Sequence, residues 1–411
     1  MSNKQTIFSA LDRAEPLVIE LEKLLVAIPA IAPESGGTGE LRKAEALEKW
    51  LRAKGITAIE RHDAPDPRAE GGVRPNIVAT IPGADDTKRL WIMAHLDVVP
   101  EGERSLWDTD PFEVTVRDGK IYGRGVEDNH QGLVAGAVAA AALVEAGAKP
   151  AHTVKLLFVA DEEFGSVFGI QWLLENRSLF RKDDLIVIPD GGKPDGSEIE
   201  VAEKNICWLK VITKGKQCHA STPDVGANAF LANCELALKL NELERDTFTA
   251  RDPLFDPDRT TITPTKKEAN VPNINTIPAE DVFYVDMRIL PTYSVDAVLE
   301  AVDARMREVE KKYGVKMARE IVQRNESPAT PADTPVVPLL QKAVKEVYGV
   351  EARAVGIGGG TVGAYLRIAG FDCVVWARQD ETMHQPNENA QIANIVGDAK
   401  VFASLMLREG A

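Results

Sequence analysis

Trp91–Pro100 reads WIMAHLDVVP. The apolar run from Leu90 to Ala94 predicts a buried strand, which ends in His95, with Asp97 two residues further on. An open α/β sheet presents its chemistry at the carboxyl ends of such strands. His95 is therefore expected as a metal ligand. Asp97 is expected as the carboxylate that orients it, because a ligating imidazole is held through its other nitrogen. On this stretch alone, a histidine satisfied beside a turn explains the pattern equally well.

Working outward, apolar periodicity predicts helices over 5–27, 39–54 (with Thr38 as N-cap and Gly55 as stop), 130–147 and 167–176. Strands are predicted over 57–61, 75–80, 89–95, 153–160 and 185–188, and Asp118-Gly119 marks a hairpin turn. Alternating strands and helices imply a mixed or parallel sheet with helices on both faces. After residue 205 the rhythm changes to strand 206–213, helix 226–243, strands 259–264 and 281–289, helix 294–312 and strand 316–322. This βαββαβ order is the ferredoxin-like arrangement. The proline-punctuated ESPATPADTP (326–335) closes it. The α/β rhythm then resumes with helix 336–348, strand 352–356, helix 361–369, strand 372–376 and helix 391–408. The expected architecture is a discontinuous α/β domain, 1–205 with 325–411, into which an α+β domain, 206–324, is inserted.

The 411 residues carry a net charge of −15. With no basic surplus to neutralise phosphates, a nucleic-acid or acidic-membrane partner is not expected. No apolar run approaches the roughly 18 residues of a membrane span, and MSNKQTIFSALDRAEP lacks a signal-peptide core. The four cysteines, Cys207, Cys218, Cys234 and Cys373, form no CxxC pair. A cytoplasmic location is the expectation that fits.

Four further stretches place acidic or histidine side chains at the ends of elements. GRGVEDNHQG (123–132) puts Asp128 just before a helix, where an acid is also an ordinary first-turn residue. ADEEFGS (160–166) puts Glu162 and Glu163 where a buried strand opens into a loop, and like charges buried there need a cation or a proton, or else the stretch is a solvated acidic loop. IPDGG (188–192) delivers Asp190 from another apolar strand, or forms a plain Asp-Gly turn. ETMHQPNE (381–388) supplies His384 late in the chain, after strand 372–376, or is a surface loop that happens to carry a histidine. Taken together they form a set of imidazoles and carboxylates without thiolates, sufficient for two zinc-like ions sharing a carboxylate.

In this order HLDVVP, GRGVEDNHQG, DEEFGS, IPDGG and MHQPNE resemble the co-catalytic zinc metallopeptidase and aminoacylase family. Its members include carboxypeptidase G, succinyl-diaminopimelate desuccinylase, acetylornithine deacetylase, aminoacylase and the carnosinase-type dipeptidases. The resemblance covers nearly the whole chain. It implies that His95, Asp128 and Asp190 hold one metal, that Asp128 bridges, and that Glu163 and His384 complete the second site. Asp97 would orient His95, and Glu162 would be the general base toward a metal-bridging hydroxide. The peptide after the bridging aspartate, Asp128–Asn129, would be cis. The implied cofactors are two divalent ions, Zn2+ with Co2+ or Mn2+ as alternatives. The implied reaction is hydrolysis of an amide bond next to a free carboxylate, in an N-acyl amino acid, an N-succinyl diamino acid or a small peptide. The inserted domain would be a lid that also makes a homodimer. In KGKQCHASTPDVGANA (214–229), His219 matches the lid histidine that stabilises the oxyanion in a neighbouring subunit. Asn275 and Arg288 match positions that bind polar groups of the substrate, and Gly359, Gly360 and Thr361 match a stretch that binds its carboxylate.

Two residues depart from that picture. Asn129 and His130 follow Asp128 where the family often has methionine or aspartate and then lysine. Gly358, Gly360 and Gly363 satisfy GxGxxG after a strand and before a helix, which supports an alternative reading as a dinucleotide-binding oxidoreductase. Asp190, where members carry aspartate or glutamate, leans the first reading toward peptide-like substrates.

Overall fold

The computed structural model describes residues 3–407. Among them the chain forms two compact units, 3–201 with 330–355 and 361–407, and 202–329 with 356–360.

The first unit is built on an eight-stranded sheet. In spatial order its strands are Ala58–Pro65, Val73–Ile81, His152–Val159, Asp85–His95, Leu185–Gly192, Val374–Ala377, Glu198–Glu203 and Arg353–Ile357. The four strands from His152–Val159 to Val374–Ala377 run parallel, Val73–Ile81 and Glu198–Glu203 run antiparallel to them, and Ala58–Pro65 pairs antiparallel with Val73–Ile81. Leu90 to Ala94 are all at most 3% exposed, which explains why this stretch is apolar without alternation. Trp91 and Met93 pack on one face with Ile170, Leu173 and Leu366. On the other face the alanine-rich helix His130–Glu145 is buried almost throughout, and Gly136 lets it approach Ile92. Because the strands are parallel, His95, the Glu162–Glu163 turn and Asp190 all emerge at one edge.

Several elements differ from the sequence expectation. The helix expected over 5–27 is two helices, Asn3–Leu11 and Glu15–Val26, with Pro16 in the first turn of the second, where a missing N–H costs nothing. The helix Leu41–Ala53 has Glu40, not Thr38, at its N-cap. Glu198–Glu203 is a strand that the charged sequence EIEVAE conceals. The turn at Asp118-Gly119 is present, with both residues at positive φ, as a tight hairpin requires.

The second unit is a four-stranded antiparallel sheet ordered Thr261–Lys267, Glu280–Ile289, Asn205–Lys214, Lys316–Asn325. Helices Ala229–Asp246 and Val295–Tyr313 bury their apolar faces against its alternate residues, such as Leu209, Val211, Val285 and Met287. Asn228 and Ser294 cap these helices through side-chain oxygens. Gly356–Gly360 clusters with this unit, and Ile357 accepts a hydrogen bond from the Lys204 amide at 2.9 Å.

Candidate metal centre

The strand Asp85–His95 delivers a buried imidazole whose two nitrogens face different partners. Nδ1 lies 2.9 Å from the Asp97 carbonyl oxygen and 3.5 Å from Asp97 Oδ1. A carbonyl only accepts, so Nδ1 carries a hydrogen, and Nε2 is the nitrogen that meets either a proton or a cation. Nε2 faces Asp128 Oδ1 at 2.9 Å and Asp190 Oδ1 at 3.7 Å. The orienting bond at Nδ1 therefore runs to the backbone of Asp97 as well as toward its carboxylate.

That carboxylate has a second task. Its two oxygens accept the backbone N–H groups of Glu162 and Glu163, each at 3.0 Å. The turn they begin is tight. Asp161 sits at φ 62°, its carbonyl accepts from the Ser166 amide at 2.6 Å, and its carboxylate accepts from the Phe168 amide at 3.0 Å.

Five carboxylates and two imidazoles converge at this edge. Ligand atoms of His95, Glu162 and Asp190 lie within 4.8 Å of one another, as do those of His95, Asp128 and Glu163. His384, on the loop after strand Val374–Ala377, places Nε2 3.0 Å from Asp128 Oδ2 and 3.1 Å from Glu163 Oε2. Asp128 thus stands between two imidazoles, with one oxygen toward each. The Asp128–Asn129 peptide is cis.

The electrostatics follow from this crowding. Burial raises the Glu162 carboxyl well above its usual range, and Asp190 adds to the effect. Burial also pushes Glu163 up to about 7, against the hydrogen bond from His384. Hydrogen bonds to Asp128 and Glu163 hold His384 up at about 10. Burial works against charge on Asp128, but bonds from His384 and His95 outweigh it and keep the carboxyl far below the usual range. Among the described residues, protons on the imidazoles are the positive charges that lie between these carboxylates. Oxygen and imidazole donors without thiolates fit a divalent cation of the zinc, cobalt or manganese type.

Asn129 and His130, the two departures, have distinct roles. Asn129 Nδ2 donates to the Pro189 carbonyl at 2.7 Å and to Asp190 Oδ1 at 2.5 Å, so it ties Asp190 to the Asp128 loop. His130 turns away from the centre. Its Nε2 lies 2.9 Å from Lys43 Nζ and its Nδ1 3.4 Å from Glu22 Oε2, all buried. Burial pulls Lys43 down to about 8 and pulls His130 well below its usual value. The sequence marked both residues only as departures from the family pattern after Asp128, without indicating these partners.

The remaining expected residues lie in the second unit or on the glycine loop. His219 is exposed, with Nδ1 2.7 Å from Ser221 Oγ, on a short strand paired with Thr276–Ile277. The exposed Asn275 is adjacent, and its carbonyl accepts the Ala220 amide at 2.9 Å. Arg288 forks onto Asp286 at 2.9 and 3.1 Å and donates to the Gly358 carbonyl at 2.8 Å. Gly359 and Gly360 are exposed, and the Thr361 hydroxyl accepts the Gly363 amide at 3.1 Å. The glycine motif does not open a dinucleotide fold. The helix after it, Gly363–Ile368, has six residues. Strand Arg353–Ile357 lies at the sheet edge and is separated by Glu198–Glu203 from Val374–Ala377, the strand that the helix leads to. No parallel βαβ unit cradles a pyrophosphate there.

Residues 91–408 match the model of peptidase family M20/M25/M40. The chain belongs to that family. It is 39% identical to an uncharacterised metallohydrolase of Methanocaldococcus jannaschii, over 94% of this chain and 98% of the relative. It is 28% identical to succinyl-diaminopimelate desuccinylase 2 of a Ruegeria species, over 94% of each chain. The fold matches that of aminopeptidase PepT from Bacillus cereus, with a TM-score of 0.76 at 19% identity, over 95% of this chain and 98% of that one. As a member of this metallohydrolase family, the protein binds divalent metal and hydrolyses amide bonds. The oxidoreductase alternative has no support.

Proposed function

We propose that the protein is a di-metal hydrolase of amide bonds flanked by a free carboxylate, with N-acyl amino acids, N-succinyl diamino acids and small peptides as the substrate class. The observation that carries it is Asp128, whose oxygens face His95 at 2.9 Å and His384 at 3.0 Å. His95, Asp128 and Asp190 would hold one cation, and Asp128, Glu163 and His384 the other, zinc being the ion this donor set suits best. Such ions polarise the scissile carbonyl and acidify a nearby water.

Glu162 takes the proton from the attacking water and passes it to the leaving nitrogen. Its backbone is fixed by Asp97, and its carboxylate stays within reach of the His95–Asp190 pair. Arg288, Asn275 and the Gly359–Thr361 stretch bind the substrate's polar groups, and His219 of a second copy stabilises the oxyanion. The second unit is then a lid that joins a homodimer, and the four free cysteines fit a cytoplasmic enzyme. The desuccinylase relative supports the substrate class.

The test is an activity panel of N-succinyl and N-acetyl amino acids and dipeptides, run after chelation and again after metal add-back. Activity is lost on chelation and restored by zinc. Glu162→Gln keeps two ions per chain while turnover falls by about 10²- to 10⁴-fold. Glu163→Ala retains one ion. Full activity in the chelated protein overturns the reading. Sedimentation of the protein, which should be a dimer, checks the assembly.

A further inference from the structure

Two buried glutamates outside the proposed ligand set connect the loops that carry Asp128 and His384. Glu388 Oε1 accepts the amides of Glu127 at 2.9 Å and Asp128 at 3.0 Å. Its Oε2 accepts the Gly125 amide at 3.0 Å and Arg124 Nη1 at 2.6 Å. The late loop therefore grips the early one. Glu127 returns the grip. Its Oε1 accepts the Asp380 amide at 2.5 Å, and its Oε2 accepts the Thr382 amide and, at 2.7 Å, the Thr382 hydroxyl. Its carbonyl also accepts Gln379 Nε2 at 3.2 Å. Both glutamates are fully buried.

His384 is the ligand candidate least supported by packing. Its side chain is 51% exposed, and it lies on a loop where Glu381, His384 and Asn387 all have positive φ. Nothing in that stretch is helix or strand, so contacts from outside must set its position. The two carboxylates supply them on either side, at residues 380–382 and at 388. Charge-assisted bonds to backbone amides are about twice as strong as neutral ones, and they fix main chain rather than a rotatable side chain.

We propose that Glu127 and Glu388 are positioning residues, a reciprocal clamp that sets the separation of Asp128 and His384 and so tunes the second cation site. This rests on the two-cation reading. The substitution Glu127→Gln tests it, because Gln places an NH2 against a donor in either orientation. Thr382→Val removes one of the clamped groups and leaves both carboxylates in place.

Metal-free full-length protein is titrated with Zn2+ by calorimetry and with Co2+ by visible absorption, alongside His384→Ala. His384→Ala loses one of two binding steps. Glu127→Gln keeps both steps but weakens the same one about 10- to 100-fold, the range for outer contacts to metal ligands, and alters its cobalt spectrum. Thr382→Val shifts that step in the same direction by less. If His384→Ala loses a step while Glu127→Gln and Thr382→Val bind with unchanged affinity, the clamp is overturned alone. The clamp is equally overturned if those two variants lower only the unfolding midpoint of the metal-free protein. If His384→Ala loses no step, the two-cation reading fails, and the clamp's role fails with it.

Discussion

Arg74 has no solvent exposure, and four carboxylates surround it. Its Nε and Nη2 fork onto Glu40 at 2.6 and 2.5 Å, and Nη2 lies 3.3 Å from Asp161 Oδ1. Burial opposes its charge, but the Glu40 fork and the charge of Asp161 more than offset this and hold the guanidinium ionised. Asp161 opens the turn that carries Glu162 and Glu163, so Arg74 steadies the site from behind. Arg74→Met leaves Glu40 and Asp161 buried without their counter-charge. Breaking such a pair costs about 3–5 kcal/mol, a loss that urea denaturation should show. A change below about 1 kcal/mol would place Arg74 among the ordinary strand residues. Nothing in the sequence marked it, because its partners come from residues 34, 40, 66 and 161 and meet only in the fold. His95, by contrast, was legible because an apolar run led to it.

At the scale of elements, the seam between helix His130–Glu145 and strand Leu185–Gly192 sets where Asp190 points. A Cβ on Gly132 would lie 2.4 Å from the Pro189 carbonyl oxygen and 2.7 Å from Pro189 Cγ. In an open helix Gly→Ala gains about 1 kcal/mol. Here the backbone of the neighbouring strand must move, and overpacking costs about 1–3 kcal/mol. Gly132→Ala should therefore lower stability in chemical denaturation and weaken zinc binding in calorimetry together, because the displaced residue adjoins Asp190. Unchanged metal affinity would separate the seam from the site. The central strands of the sheet were readable from their apolar runs, Leu90–Ala94, Thr153–Ala160 and Leu185–Ile188. Glu198–Glu203 was not, because its buried glutamates are satisfied by partners such as Arg367, 3.5 Å from Glu200, that no local pattern announces. The same limit hid Glu127 and Glu388. An acid beside a ligand reads as surface charge until the loop it holds is in place.

For the whole molecule, a net charge of −15 tells the sign of the surplus but not how much of it is buried. Asp398, on helix Ile392–Leu407, shows the consequence for stability. It is fully buried, and burial pushes its carboxyl from an ordinary 3.8 up to about 7. Tyr348 Oη lies 2.8 Å from Oδ1, and Gln131 Nε2 and the Arg378 amide lie 3.2 Å from Oδ2. A raised folded pKa means that the folded state binds the proton more tightly than the unfolded chain. This contribution is complete below pH 3.8 and is lost as pH rises through about 7. At about 1.4 kcal/mol per pH unit the change amounts to about 4 kcal/mol. Asp398→Asn removes the titration but fits the site. Its oxygen can face Arg378 and Gln131, while its NH2 meets a Tyr348 hydroxyl that turns to the Asn394 carbonyl at 3.2 Å. Denaturation of both proteins from pH 4 to 8, with zinc saturating so that Glu163 does not titrate, isolates the term. Wild type should lose about 4 kcal/mol relative to the variant across that range. A pH-independent difference would mean that Asp398 titrates as an ordinary carboxylate and that its burial is offset by its three partners.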